Sequence, residues 1–238
     1  MKPKGVALSW RSFHLLRMSL SIVTGANRGI GLALAKELKK RGAQVVATCR
    51  STSPELEALG VEVVAGVDVS EAEGVAKLVA KVGDRKIDLL INNAGILVWG
   101  DSFDKPDFAG MTKQFEVNAV GPVRVTSALR NNLSPVCKLA FITSRMGSIE
   151  DNGSGGHYGY RMSKAALNIA AVSVARDLEP QGVPVIILHP GMVKTDMIGG
   201  RGQVEPEEAA RGLLGRIDEL TLERSGAFFH QNGESLPW

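Results

Sequence analysis

From residue 20 onward, short runs of apolar and β-branched residues alternate with stretches in which apolar positions recur every three or four residues. The runs cover residues 20–24, 44–49, 61–67, 87–91, 137–143, 183–188 and 227–229. Most are apolar at consecutive positions, which is what a strand buried on both faces requires. The periodic stretches predict helices over residues 30–41, 71–82, about 108–133, 160–179 and 205–219, with Gly42, Gly182 and Pro184 punctuating two of the ends. Strand and helix in alternation predict an α/β fold: a doubly wound Rossmann-type parallel sheet of about seven strands with helices on both faces. Right-handed crossovers then put any ligand in the crevice beyond the carboxyl ends of the strands.

The 238 residues suffice for one large α/β core, so residues 18–238 are read as a single domain. Residues 1–17 carry Lys2, Lys4, Arg11 and Arg17 with no acid. They are expected to lie outside the fold, as an upstream extension with Met18 a natural start, the alternative being a weak organelle-targeting peptide. A net charge of +3 with cations scattered among acids offers no basic stripe, which argues against a nucleic-acid partner. No run is long and apolar enough to span a bilayer, so a soluble protein with no membrane partner is expected. Cys49 and Cys137 sit in apolar strand-like runs and read as reduced, buried thiols, hence a reducing, cytoplasmic compartment. No His or Cys stands at metal-ligand spacing; His157, His189 and His230 are read as structural.

The 27 glycines matter for where they fall. The first strand runs into TGANRGIG, residues 24–31, and then into a helix. A turn this tight needs residues without a Cβ, and it aims the N–H groups of the helix N-terminus at an anion. The spacing of Gly25, Gly29 and Gly31 differs from G-x-G-x-x-G, and alone it also suits a structural corner.

Strand, TGxxxGxG, helix, and then INNAG at residues 91–95 resemble the short-chain dehydrogenase/reductase family over residues 20–238, most closely its C-factor and sniffer-like carbonyl reductases through YRMSKAALN and the terminal GESLPW. The resemblance implies that Gly25, Asn27, Arg28, Gly29, Ile30 and Gly31 hold a dinucleotide. It also implies that Asp68 and Val69 meet the adenine, that Asn93, Ala94 and Gly95 line the adenosine side, and that Pro190, Gly191, Val193 and Thr195 of HPGMVKTD bind the nicotinamide carboxamide. Asp68 sits near a capping box formed by Ser70 and Glu73, and Asn92 and Asn93 can also tie the sheet's end together. The second strand ends in VVATCRS without the carboxylate that NAD preference needs, whereas Arg50 and Arg28 suit a 2′-phosphate, so NADP(H) is the expected cofactor.

Tyr160 and Lys164 stand four apart on one helix face, and Ser144 falls at a strand's carboxyl end. Reducing a carbonyl takes a hydride and a proton; a phenol near pKa 10 needs lowering by about 3 units to donate near neutrality, which the Lys164 ammonium and a cationic nicotinamide would supply. Tyr158 is the competing phenol, but four residues on from it stands Met162. Ser144 would hydrogen-bond the substrate oxygen. Pro122, four after Asn118, predicts a kink and a free Asn118 carbonyl, which the family resemblance links to a water serving the lysine. Asn118, Ser144, Tyr160 and Lys164 are the expected catalytic set. They point to NADPH-dependent reduction of an aldehyde, ketone or quinone, the alternative being a non-catalytic NADP(H) sensor or signalling protein on the same fold. Trp99, Phe103, Met146, Ile149 and Met192 are candidate walls for a small-molecule carbonyl substrate, residues 197–204 a lid, and the helices after residues 108 and 160 resemble those through which the family forms a homodimer or homotetramer.

Overall fold

The computed structural model describes residues 19–238; the expected extension at residues 1–17 lies outside the described residues. Seven strands, β1 (Leu20–Thr24), β2 (Gln44–Thr48), β3 (Glu62–Val64), β4 (Ile87–Asn92), β5 (Leu133–Ile142), β6 (Val185–His189) and β7 (Ala227–His230), form one sheet in the order β3-β2-β1-β4-β5-β6-β7. Every neighbouring pair is parallel. The order reverses between β1 and β4, so the crevice opens above Thr24 and Asn92.

Because side chains alternate along a strand, adjacent residues feed different cores. Ile22, Leu90, Phe141 and Ile187 face one side, where helices α3 (Ala72–Val82), α5 (Gly121–Ala128) and α6 (Tyr158–Leu178) bring Leu78, Val125 and Leu167. Val23, Ile91, Ile142 and Leu188 face the other, against Leu34 and Leu38 of α1 (Gly29–Lys40) and Leu213 of α7 (Pro206–Asp218). Each fully buried Leu contributes about 2 kcal/mol by leaving water, so both faces of the sheet are strongly held. No helix among the described residues is long and apolar enough to cross a membrane.

The pattern-based boundaries shift where backbone chemistry intervenes. The third strand stops at Val64 because Gly66 turns with φ +72, its N–H bonding Arg50 O at 3.0 Å. A short helix α2 (Pro54–Ala58) escaped the periodicity; Ser53 caps it, accepting from Leu56 N at 3.2 Å, with Pro54 as its first residue. The capping box of Ser70 and Glu73 does not form: the Ser70 hydroxyl donates to Asp68 Oδ1 at 2.6 Å, and Glu71 occupies the N-cap without a side-chain bond. The long helix expected over residues 108–133 is broken into α4 (Phe108–Phe115), a π-turn (Glu116–Val120), α5 and a 3-10 turn (Arg130–Asn132). Pro122 lies just past the π-turn, so the expected kink is an inserted residue in the ladder.

Candidate active site

At the carboxyl end of β1 the chain turns through Gly25, with φ +67, and Gly29, with φ +54, into α1. A Cβ on Gly31 would stand 2.2 Å from Gly25 O and 2.6 Å from Asn93 Nδ2, and one on Gly25 would stand 2.8 Å from Ala94 Cα, so neither position admits a side chain. Asn93 binds the turn from the end of β4, its Nδ2 donating to Thr24 O at 2.9 Å and Gly25 O at 3.2 Å. The Thr24 hydroxyl accepts from Asn93 N and Ala94 N, both at 3.0 Å. The first turn of α1 contains no acid, and its N-cap, Arg28, makes no side-chain bond to it. The turn is thus a preformed cradle of N–H groups at the positive end of a helix, suited in shape and charge to a pyrophosphate.

A cleft of about 1370 Å³ runs from this turn across the sheet's carboxyl edge, and Asn27, Ile30, Arg50, Asp68, Val69, Gly95, Ser144, Tyr160, Lys164, Pro190, Gly191, Val193 and Thr195 line it with the glycines. Arg50 has no carboxylate at ion-pair distance among the described residues, while Arg28 reaches Asp196 at 3.4 Å, both side chains largely exposed. Asp68 is pushed up by burial, but the Ser70 hydrogen bonds and the Arg50 charge outweigh this and hold it below the usual carboxylate range.

Lys164, 4% exposed, donates from Nζ to Ile142 O at 3.0 Å, and its Nζ stands 5.8 Å from the centre of the Tyr160 ring. Burial lowers the ammonium to about 8. Burial also pushes the Tyr160 phenol up to about 12, with a hydrogen bond to Ser144 pulling the other way. The sequence reading expected Lys164 to lower the phenol. In the protein alone the phenol moves in the opposite direction, because desolvation penalises phenolate and ammonium alike. Ser144 is held by its own backbone, its Oγ accepting from Met146 N at 3.1 Å.

Asn118 is fully buried and does not line the cleft. Its side chain clamps the strand end instead: Oδ1 accepts from Ile96 N and Nδ2 donates to Ile96 O, each at 2.8 Å, with a further bond to Ser163 Oγ at 3.0 Å. Gly95 sits between, since a Cβ there would stand 3.3 Å from Asn118 Oδ1 and 3.6 Å from Lys164 Nζ.

Of the expected apolar walls, Trp99, Met146 and Met192 line the cleft, whereas Phe103 (84% exposed) and Ile149 (82%) do not line it, a correction that only the loop paths reveal. His189 lines the cleft too, packed edge-on to His230 at 5.0 Å. Burial, aided by the nearby cations, lowers it to about 3, so it stays neutral and donates no charge to the site. Sequence reasoning missed Asp101, Arg161 and Arg201: a single Asp in a loop and an Arg outside any motif carry no periodic signal, and Arg161, though inside YRMSKAALN, has no spacing that sets it apart from an ordinary helix-surface cation.

A family model described as short chain dehydrogenase matches residues 20–205. The 1-hydroxy-2-glutathionyl-2-methyl-3-butene dehydrogenase of Rhodococcus sp. (strain AD45) is 40% identical over 93% of this chain and 100% of its own length. C-signal of Myxococcus xanthus is 46% identical over 64% of this chain and 93% of its own. Two solved structures, carbonyl reductase Sniffer of D. melanogaster and NADPH-bound carbonyl reductase from chicken fatty liver, superpose with TM-scores of 0.84 and 0.82, each at 29% identity over 93% of this chain and 99% of the other.

Proposed function

The chain belongs to the short-chain dehydrogenase family, and from that membership we propose that it reduces the carbonyl of an aldehyde, ketone or quinone to the alcohol, reversibly, with NADP(H). The observation that carries this reading is the convergence of Ser144, Tyr160 and Lys164 on the cleft into which the glycine cradle opens.

The cradle and first turn of α1 would hold the pyrophosphate, Arg50 the 2′-phosphate, Asp68 and Val69 the adenine, and Asn93, Ala94 and Gly95 the adenosine side. Tyr160 and Lys164 would hold the nicotinamide ribose, and Pro190, Gly191, Val193 and Thr195 the carboxamide. NADPH, which the chicken-liver carbonyl reductase is named as binding, supplies the hydride when bound. Ser144 would donate a hydrogen bond to the substrate oxygen. Tyr160 gives that oxygen a proton as negative charge develops on it; a phenol held near 12 keeps its proton until then. Lys164, lowered to about 8, stands one helical turn away and is able to lose and regain protons near neutrality. Asn118 anchors the Gly95–Ile96 loop beside Lys164, and its carbonyl lacks an i+4 donor because Pro122 has no N–H, leaving it able to accept from a relay water.

Cys49 and Cys137 are both buried and free, which fits a reducing, cytoplasmic compartment. Phe115, Met162 and Ile169 are exposed on the helices flanking the π-turn and on α6, a surface fit for a homodimer or homotetramer.

A second reading, a non-catalytic NADP(H)-binding signalling protein, is favoured by the 46% identity to C-signal. One experiment separates them: NADPH oxidation against aldehydes, ketones and quinones, with NADH and Tyr160→Phe as controls. Turnover with NADPH that falls at least about a hundredfold in Tyr160→Phe supports the reductase; tight NADPH binding without turnover across the panel supports the signalling protein.

A further inference from the structure

We propose that the carbonyl substrate carries a carboxylate, received at the mouth of the cleft by Arg161 and Arg201. This rests on the reductase reading and adds a substrate class to it.

The charges lining the cleft do not balance. Its three acids are all engaged: Asp68 by Ser70, Asp151 by Arg145 at 3.1 Å, and Asp196 by Arg28 at 3.4 Å. Lys194 is paired with Glu205. Among the described residues, Arg161 and Arg201 line the cleft with no carboxylate at ion-pair distance. Arg50 and Lys164 likewise have no carboxylate at ion-pair distance among the described residues; Arg50 sits past the end of β2, on the other side of β1 from the reacting groups, where a 2′-phosphate would take it, and Lys164 is buried at the catalytic centre with its Nζ on Ile142 O. Arg161 lines the cleft and donates from Nη1 to Met146 O, whose own N–H bonds Ser144 Oγ, so its charge lies at the reacting end.

The geometry around these two residues is that of a seat for an anion with an apolar stem. Arg161 is held by neutral acceptors alone: Nη2 donates to Ser154 Oγ at 2.9 Å, Nε to Gly155 O at 3.3 Å and Nη1 to Met146 O at 3.4 Å. These bonds fix the guanidinium plane without neutralising its charge, and each Nη keeps a further N–H. Arg201 is exposed and bonds only Ile198 O, through Nε at 3.4 Å, leaving both Nη atoms for a ligand.

Trp99 links the two sides. Its Nε1 donates to Met197 O at 3.1 Å, its ring lies 5.8 Å under the Arg201 guanidinium, and His157, at the N-cap of the Tyr160 helix, packs edge-on at 5.5 Å. A half-exposed indole under the Arg201 guanidinium, lining the same cleft as Arg161, offers an apolar floor for the stem of a ligand whose far end is an anion. A planar guanidinium takes a carboxylate through two parallel N–H bonds, which favours a carboxylate over a neutral polar tail.

The test compares 4-carboxybenzaldehyde with 4-methylbenzaldehyde, similar in size and differing in charge. NADPH-dependent kcat/KM should favour the carboxylated aldehyde by about tenfold or more, through KM, with the preference shrinking as salt rises. Arg201→Gln should cut that ratio about tenfold, and Arg201→Lys, which keeps the charge without the planar fork, should retain only part of it. Equal kcat/KM for the pair in the native protein, or a preference undiminished in both Arg201→Gln and Arg161→Gln, overturns the proposal. If neither aldehyde nor any other carbonyl turns over, the reductase reading fails separately. Calorimetric binding of 4-carboxybenzaldehyde to the NADP-loaded protein then decides: binding weakened in Arg201→Gln sustains the anion seat, and no binding ends it.

Discussion

Asp101 Oδ2 accepts the Gly159 N–H at 2.7 Å, which places a buried carboxylate at the N-terminus of the helix that carries Tyr160 and Lys164. That helix has no cap of its own, since His157 stands at the N-cap in a left-handed conformation, φ +49, without a side-chain bond, and the first turn contains no acid. Its orphan N–H and the positive end of its dipole are served from the loop after β4, 58 residues away. Asp101→Ala should cost about 1–2 kcal/mol in urea unfolding, and Asp101→Asn, which keeps an acceptor oxygen, should recover most of it. Equal stability of Asp101→Ala and the native protein would show that the cap carries no load.

His189 gives an acid-side prediction. Its pKa is lowered to about 3 in the folded protein, against about 6.5 in the unfolded chain. Between those values the unfolded state binds the extra proton, so stability falls as pH drops from about 6.5 toward 3. His189→Phe removes that proton uptake. A plot of unfolding free energy against pH should be flatter in the variant across this window, and an unchanged slope would mean the imidazole is not held neutral.

Gly31 is a position where size alone decides. A Cβ would meet the Gly25 carbonyl and the Asn93 amide inside contact distance, so Gly31→Ala must displace the turn that Asn93 ties to Thr24. NADPH affinity, read by fluorescence titration, should weaken by about tenfold or more, while circular dichroism retains the α/β signature. Native affinity in the variant would place the nucleotide elsewhere.

Arg50 tests cofactor choice. Arg50→Asp exchanges a guanidinium for the carboxylate that a 2′-hydroxyl prefers, so the ratio of kcat/KM for NADPH over NADH should invert. A variant that keeps its NADPH preference would assign the 2′ end to another cation.

The alternation of apolar runs and periodic stretches was enough to read seven parallel strands and both helical layers, because burial on two faces leaves no polar position in a strand such as residues 185–188. The glycine turn and the Tyr160–Lys164 spacing were equally legible, since both are local: one needs residues without a Cβ, the other a single helical turn. The π-turn was half legible. Pro122 announces a broken ladder, but whether the chain kinks, frays or inserts a residue depends on Asn118 bonding Ile96 across the site.

What the chain order could not convey is everything that depends on loops meeting. Asp101 capping Gly159, Arg28 spanning the cleft to Asp196, and Trp99 bridging Met197 and His157 join segments tens of residues apart. None has a periodicity or a spacing to betray it. The same holds for ionisation. Tyr160 and Lys164 are adjacent in any helix, yet it is their common burial that drives both toward the neutral form, a balance of desolvation against charge that exists only once the surrounding chain has excluded water.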